Sequence, residues 1–159
     1  MKGYWRNPKA TAETLTPDGW LRTGDIGYYD DENKFFISGR LKELIKVKGM
    51  QVAPAELDGV CLESEGVADA AVVGVTINGQ EHPRAYIVLK EGVAATKSTA
   101  DRIVGEVNAK LSQHKRITGG LVFAEALPKN PSGKILRRLL RERAQKEVQS
   151  EQEMIKASL

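Results

Sequence analysis

Cysteine and histidine are scarce in this sequence. Its 159 residues include one cysteine, Cys61, and two histidines, His82 and His114. A single cysteine cannot form an internal disulfide, and these three residues do not have the spacing of zinc ligands. The sequence also lacks a Gly-x-Ser-x-Gly motif. These absences argue against a disulfide scaffold, a zinc site and a hydrolase with a histidine-based triad.

Long hydrophobic runs are also missing. The longest apolar runs, such as Ala70–Val75, are far shorter than the roughly 20 residues of a transmembrane helix, which excludes an integral membrane protein. The first residues lack the apolar core of a signal peptide, so we expect a reducing, cytoplasmic location. The last tripeptide, Ala157-Ser158-Leu159, resembles a peroxisomal signal only at its outer two positions, which leaves the peroxisome as an alternative.

The composition that remains is that of an ordinary globular protein. Apolar residues make up 41% of the chain and charged residues 28%, with a net charge of +3. A folded chain of this size buries roughly 70% of the surface that its unfolded form exposes. The sequence therefore predicts one globular domain, with room for an appendage, whose core needs no disulfide or metal.

The hydrophobic pattern predicts short strands that alternate with helices. Residues 19–37 alternate aromatic and polar side chains around Asp30–Asn33, and residues 39–49 resemble a second hairpin with exposed lysines. Pro54 suits the start of a helix that places Cys61 in the core. The other predicted elements are strands over 70–76, 85–90 and 121–124 and helices from Ser98 and Lys134. This order predicts an α+β fold, with a small antiparallel sheet flanked by helices and preceded by a β-hairpin.

A lysine-bearing loop stands out near the last helix. The run Pro131-Ser132-Gly133-Lys134 is not a phosphate-binding P-loop, because Pro128 and Ile135 stand where that motif needs glycine and a hydroxyl. The run predicts a stiff loop that places Lys134 at the start of a helix, where the helix dipole favours an anion rather than a cation. A lysine at that point suggests an anionic ligand, and a solvated lysine without a ligand is the alternative.

Asp25 is a second candidate. It lies between Gly24 and Gly27, and glycines allow a ligand to approach the backbone closely. A carboxylate can accept hydrogen bonds from the vicinal hydroxyls of a sugar, as in dinucleotide sites. An aspartate that caps a turn is the alternative interpretation, and a solubilising edge strand is the corresponding alternative for the lysines of residues 39–49.

The last predicted helix is strongly basic. Its cations and the pI of about 9.0 are compatible with a nucleic-acid-binding surface. However, Glu142 and Glu147 interrupt the basic run, and no aromatic residues lie among the cations. A solvated face of an amphipathic helix explains the pattern equally well, so we expect no nucleic-acid partner.

Three segments, taken in order, resemble a known enzyme family. They are Trp20–Gly27, Gly39–Leu57 and Pro128–Arg138. Together they resemble the adenylate-forming acyl-CoA synthetase superfamily, and within it 4-coumarate-CoA ligases and firefly luciferases. Gly3–Pro8 also resembles the stretch that precedes these segments, so the resemblance covers residues 3–145. Amino-acid adenylation domains usually carry aspartate where Lys42 stands, which favours the CoA-ligase branch.

The resemblance implies a two-step ligase reaction. Such enzymes join a carboxylic acid to ATP, releasing pyrophosphate and forming an acyl-adenylate, and then transfer the acyl group to CoA and release AMP. The implied substrates are a carboxylic acid, ATP and CoA, with Mg²⁺ required by the full-length enzyme but not bound by this chain. The alternatives are a luciferase-like oxygenase, which starts from the same kind of adenylate, and a noncatalytic basic binding module.

The resemblance also implies roles for individual residues. Asp25 matches the residue that holds the ribose hydroxyls, and Arg40 matches an arginine near the same ribose. Lys42 matches the hinge about which the small C-terminal domain swings.

Five further matches lie beyond the hinge. Lys134 matches the lysine that bridges the carboxylate and the α-phosphate during adenylation. Lys46 and Gln51 match hairpin positions that approach the adenylate. Lys48 and Gly49 match the loop that lines the pantetheine channel in the thioester-forming state.

Length is where the sequence departs from the family. Such enzymes begin with several hundred residues that carry a phosphate loop and the acyl pocket, so we expect a C-terminal fragment that is inactive without that N-terminal adenylation domain. Residues 1–38 would be the end of the large domain, partly disordered or pairing their strands with another copy. Residues 39–147 would form the mobile lid domain, and residues 148–159 a frayed tail. The acid that is activated cannot be inferred, because the residues that select it lie upstream.

Overall fold

The computed structural model describes residues 1–157, and it divides the chain into two compact units between Lys42 and Glu43. We call residues 1–42 the N-terminal unit and the residues from Glu43 onward the C-terminal unit. The division lies after Lys42 rather than after residue 38, because the Leu41 amide donates to the Gly24 carbonyl at 2.9 Å and holds this segment in the first unit. Ser158 and Leu159 of the candidate peroxisomal tripeptide lie outside the described residues.

A short helix opens the N-terminal unit. Helix α1 spans Pro8–Thr14, and the Asn7 side chain caps it by accepting a hydrogen bond from the Ala10 amide at 3.0 Å. Asparagine before the helix and proline at its first position form a known start signal. The sequence therefore contains the signal for this helix, although the hydrophobic pattern alone does not predict one.

An antiparallel hairpin follows in the same unit. Strands β1, Asp25–Tyr29, and β2, Phe35–Arg40, pair around a turn in which the Asp30 carboxylate accepts hydrogen bonds from the amides of Glu32 and Lys34. This confirms the predicted hairpin. The two strands are partners of each other, whereas the family resemblance predicted strands without a partner in this chain.

The C-terminal unit contains the remaining elements in the predicted order. Its α-helices and β-strands are β3 (Ile45–Val47), β4 (Met50–Val52), α2 (Pro54–Leu62), β5 (Val67–Ile77), β6 (Gln80–Leu89), α3 (Lys97–Lys110), β7 (Leu121–Phe123) and α4 (Arg137–Ala157). Strands β3 and β4 form a second antiparallel hairpin, while β5, β6 and β7 form one sheet in that order. The α+β class with small antiparallel sheets is confirmed. One feature differs, because β7 pairs with β6 in parallel.

The sheet of the C-terminal unit is covered on both faces. Alternate residues of β5 point to opposite sides: Ala70 and Val72 join the core formed with α2 and α3, and Val73 and Val75 join the core formed with α4. A strand buried on both faces reads as a continuous apolar run rather than an alternating one. This explains the apolar run Ala70–Val75 in β5, because the sheet lies between two layers of helices.

Cys61 lies in the core on α2, with 1% of its surface exposed. Burial, with a smaller contribution from the negative charge of Asp58, raises the pKa of the Cys61 thiol to about 12. The interpretation of this cysteine as a structural residue is confirmed.

Helix α4 begins later and continues further than the pattern indicated. It starts at Arg137 rather than Lys134, because a turn holds the preceding residues outside the helix. At its far end Val148 is buried, and Glu151 Oε1 pairs with Arg84 Nη2 at 2.6 Å. Residues 148–157, expected as a frayed tail, are therefore helical in the structure. None of the helices within residues 1–157 has the length and apolar character needed to cross a membrane.

Candidate functional site

Asp25 and Arg40 face each other at the end of the β1–β2 hairpin. They are register partners, and Arg40 Nε lies 3.2 Å from Asp25 Oδ1. Both side chains are at least partly open to solvent. Within residues 1–157 the Asp25 carboxylate accepts no backbone hydrogen bond, so the turn-capping alternative is not supported. The pair presents an acceptor beside a cation at an open strand end.

Lys42 is the last residue of the N-terminal unit. It lies in a single 3₁₀ turn over Leu41–Glu43, and its side chain is exposed. The boundary between the two compact units follows it directly. A residue without core contacts at such a boundary can change its backbone angles at little cost in packing.

The β3–β4 hairpin carries Lys46 and Gln51 directly opposite each other. Both are exposed, while their neighbours Ile45, Val47 and Val52 are buried. Successive side chains of a strand point to opposite faces, so three apolar anchors place the two polar groups on the same open face. The structure thus brings together two of the residues that the resemblance singled out.

The turn of this hairpin consists of Lys48 and Gly49. Both have positive φ angles, 49° and 83°. Two-residue hairpin turns of this kind match the twist of the strands, and glycine adopts the conformation without strain. Lys48 adopts it although it has a side chain, a conformation that is uncommon for a non-glycine residue and is often found at functional sites.

A cavity of about 400 Å³ lies beside this turn. Its lining includes one acidic residue, Glu81, and several basic or titratable ones: Lys48, His82, His114 and Arg116. Sequence reasoning assigned no role to these last three residues. His82 lies in β6, whereas His114 and Arg116 lie in the segment after α3, so only the fold brings them together and no local pattern could have found the group.

Lys134 lies on a third hairpin, which we define as residues 129–135 and call the Lys134 hairpin. Lys129 and Ile135 form an isolated antiparallel bridge, and the Gly133 amide donates to the Asn130 carbonyl at 2.9 Å. Asparagine, proline and a final glycine are the residues that such a turn favours, and Gly133 has a φ of 80°. The turn therefore follows directly from the sequence Asn-Pro-Ser-Gly.

The side chain of Asn130 holds this turn from inside. Its Oδ1 accepts hydrogen bonds from the Ser132 amide at 3.1 Å, the Ser132 hydroxyl at 2.8 Å and the Lys134 amide at 2.8 Å. Lys134 itself is exposed and, within residues 1–157, forms no ion pair. The hairpin therefore fixes the backbone of Lys134 and leaves its ammonium group available to an anion.

Three ion pairs lie at the two ends of the Lys134 hairpin. Lys129 Nζ lies 2.5 Å from Asp69 Oδ2 on one side. On the other, Arg137 pairs with Asp58 and Glu43. Burial raises the pKa of the Asp58 carboxyl above its usual range, although Arg137 acts in the opposite direction. Sequence reasoning missed these acidic partners because they are distant in the chain.

No metal site accompanies these groups in the part of the chain that the structure describes. Residues 1–157 contain no group of three or more histidine, cysteine, aspartate or glutamate side chains that could hold a metal ion.

Residues 56–134 match the family model described as the AMP-binding enzyme C-terminal domain. The chain contains an AMP-binding enzyme C-terminal domain. With its flanking residues, the AMP-binding C-terminal domain is 49% identical over 144 residues to 4-coumarate-CoA ligase 1 of Narcissus pseudonarcissus. It is 47% identical over 143 residues to the luciferin 4-monooxygenase of Luciola mingrelica. The family resemblance of the three sequence segments is confirmed.

The matches cover most of this chain but only part of each relative. They include 90% and 89% of the chain, and 26% of each of the two relatives, so the chain spans about a quarter of their length. The crystal structure of ATP-bound MatB from Rhodopseudomonas palustris aligns with a TM-score of 0.83 at 29% identity. That alignment covers 92% of this chain and 29% of MatB. The chain is therefore similar to MatB in fold, in addition to its sequence similarity to the two relatives above.

Proposed function

We propose that this chain is the C-terminal part of an ATP-dependent, AMP-forming acyl- or aryl-CoA ligase. The ligase forms an acyl-adenylate from a carboxylic acid and ATP, and then an acyl-CoA thioester. The observation that carries the proposal is Lys134, whose backbone is fixed by Asn130 while its ammonium group stays exposed and without an ion pair in residues 1–157.

In the first step, Lys134 lies between two anions. Adenylation brings a carboxylate against the α-phosphate of ATP, and a cation between them offsets their repulsion as the bond forms. At an effective dielectric constant near 20, one unit charge at 4 Å contributes about 4 kcal/mol, or roughly a thousandfold in rate if it acts only in the transition state.

In the second step, the β3–β4 hairpin replaces Lys134. Lys46 and Gln51 approach the adenylate, and Lys48 and Gly49 line the passage for the pantetheine arm of CoA. Rotation about Lys42 exchanges the two hairpins, because the thiol must reach the acyl carbon from a side that the Lys134 hairpin would cover. The unit boundary after Lys42 supports this hinge. The basic residues beside the Lys48–Gly49 turn suit an anionic substrate.

The N-terminal unit contributes to nucleotide binding. Asp25 accepts hydrogen bonds from the ribose hydroxyls, and Arg40 lies near the same ribose. The 3.2 Å pair between them supports this role, since it orients the carboxylate at an open edge.

The partner of this chain is an N-terminal adenylation domain, which supplies the acyl pocket and holds Mg²⁺ together with ATP. The chain's 26% share of its relatives supports this partner. So do exposed apolar side chains of the N-terminal unit, such as Trp20 (74% exposed) and Phe35 (81% exposed), which such a domain would cover. The isolated chain is inactive, and the complete ligase is cytoplasmic, with the peroxisome as the alternative.

Replacing Lys134 tests the proposal. In a full-length protein that carries this chain, we expect Lys134→Ala to slow pyrophosphate release roughly a thousandfold, because the two anions are no longer bridged. Acyl transfer from supplied acyl-adenylate to CoA should change far less. Lys97→Ala is the matched control, because Lys97 lies in α3 with 88% of its side chain exposed. Equal losses in both half-reactions would contradict the exchange of hairpins.

A luciferase-like oxygenase is the second candidate, and the 47% identity to a luciferin 4-monooxygenase favours it. Both chemistries start from an adenylate and use the same residues of this chain. Product analysis of the full-length protein separates them: a CoA thioester supports the ligase, whereas oxygen consumption with light emission supports the oxygenase.

A further inference from the structure

Arg137 makes an unusual set of contacts for the first residue of a helix. Its side chain is only 15% exposed. Nη1 donates to the carbonyl of Val72 at 3.0 Å, Nη2 pairs with the carboxylate of Asp58, and Nε lies 3.1 Å from Glu43 Oε2. All three nitrogens of the guanidinium therefore have partners, which a lysine at the same position could not provide.

These contacts join elements that are far apart in the chain. Glu43 is the first residue of the C-terminal unit, directly after Lys42. Asp58 belongs to α2 and also accepts a hydrogen bond from the Val72 amide of β5 at 2.7 Å. A second arginine of α4, Arg141, donates to the carbonyl of Glu43 at 3.4 Å. The segment that enters the unit is thus tied to α2, to the sheet and to α4.

We propose that Arg137 is a positioning residue that makes the Lys134 hairpin and the segment leaving Lys42 parts of one rigid body. This inference rests on the proposed ligase function. A rotation at Lys42 then moves the ammonium group of Lys134 together with the segment that follows Lys42. Near-attack geometry is sensitive to displacements of about 1 Å, which can cost roughly a hundredfold in rate.

The β3–β4 hairpin does not depend on this arginine to the same degree. Its strands are anchored by the buried side chains of Ile45, Val47 and Val52, which belong to the hydrophobic core. Loss of the Arg137 contacts should therefore displace Lys134 while Lys46 and Gln51 stay in place. Arg137 thus serves the first half-reaction selectively.

The test is Arg137→Lys in a full-length protein that carries this chain. The variant keeps the positive charge but has one donor nitrogen in place of the three that contact Val72, Asp58 and Glu43. We expect kcat for pyrophosphate release to fall ~10-fold to ~100-fold, with the KM for ATP and the acyl transfer from supplied acyl-adenylate both within ~3-fold of wild type. Arg138→Lys is the matched control, because this neighbour is 79% exposed and, among the residues that the structure describes, pairs only with Glu142 on the surface.

Glu43→Gln is the second variant, chosen because Glu43 is 35% exposed and the buried pair of Arg137 with Asp58 remains. It should lower pyrophosphate release by a smaller factor with the same selectivity, even if Arg137→Lys fails to fold. Unchanged pyrophosphate release in the folded variants, or equal loss of both half-reactions, overturns the inference. If Lys134→Ala is inactive and Glu43→Gln is not impaired, the inference alone fails. If the wild-type protein forms no pyrophosphate, the proposed function fails.

Discussion

The two lysine-bearing hairpins of the C-terminal unit are held in different ways. The β3–β4 hairpin stands on buried apolar side chains, including Ile45 and Val52, both with 0% exposure. In the Lys134 hairpin no residue is buried, and its conformation depends on Asn130 and on flanking ion pairs. Apolar packing is strong but non-directional, whereas hydrogen bonds are weaker and directional. The hydrophobic core therefore anchors the β3–β4 hairpin, whereas directional polar contacts orient the Lys134 hairpin.

Removing the apolar anchor should have the largest effect on stability. Ile45 packs against Gly74, where a Cβ added to the glycine would lie 3.2 Å from Ile45 Cγ2. We expect Ile45→Ala to lower the free energy of unfolding by about 3 kcal/mol, because it removes buried methyl groups and leaves a cavity. Urea denaturation of the chain measures the change. Met50→Ala, at a 45% exposed position of the same hairpin, is the control and should cost less than about 1 kcal/mol. Equal losses would contradict the role of the core.

Removing the polar anchor should have a smaller effect on stability. Asn130→Ala deletes the acceptor of three hydrogen bonds, so we expect a loss of about 1–2 kcal/mol. The local consequence should be faster hydrogen exchange at the Lys134 amide, measured by NMR. Ser132→Ala, which removes one of the three donors, serves as the control and should change this exchange much less. Protection of the Lys134 amide in Asn130→Ala would show that other contacts hold the turn.

Changing the turn of the β3–β4 hairpin should have the smallest effect. Gly49 has a φ of 83° and open space around it, so Gly49→Ala meets backbone strain but no clash. We expect a loss of about 1 kcal/mol. Gly59→Ala is the matched control with the opposite sign, because Gly59 lies inside α2 with open space, and alanine favours a helix by up to about 1 kcal/mol. Thermal denaturation compares the two variants, and a stabilising Gly49→Ala would refute the strain.

Much of the fold could be predicted because its signals are local. The alternation of buried and exposed residues in Ile45–Val47 and the helix start at Pro54 depend on neighbours in sequence. The turn over Asn130–Gly133 has the same origin. This turn also explains the error at α4, since it keeps Lys134 outside the helix that the apolar stripe predicted. The proposed roles of the site residues come from the family resemblance and stay predictions.

Contacts between distant segments could not be predicted from this sequence. The charge pattern indicated that Arg137 belongs to a solvated basic face, yet it pairs with Asp58, 79 residues away. No sequence feature near Arg137 or Asp58 indicates that the two residues pair. Likewise, the parallel pairing of β7 with β6 depends on the crossover through α3, which a strand pattern does not reveal.

Other ion pairs of α4 bear on the nucleic-acid alternative. Arg138 and Arg143 have exposed side chains, and each pairs with a carboxylate of the same helix. A basic face that is neutralised by its own acidic residues has less charge to offer to phosphates. These ion pairs are compatible with a solvated face, and the expectation of no nucleic-acid partner stays a prediction.

The buried thiol of Cys61 has a practical consequence for observing the proposed swing. As the sole cysteine of the sequence, protonated and shielded near neutral pH, it should resist maleimides in the folded chain. A Ser132→Cys substitution on the exposed tip beside Lys134 would then take up a fluorophore selectively within this segment. The emission of this fluorophore would then report, in each turnover, when the tip of the Lys134 hairpin leaves the nucleotide and when it returns.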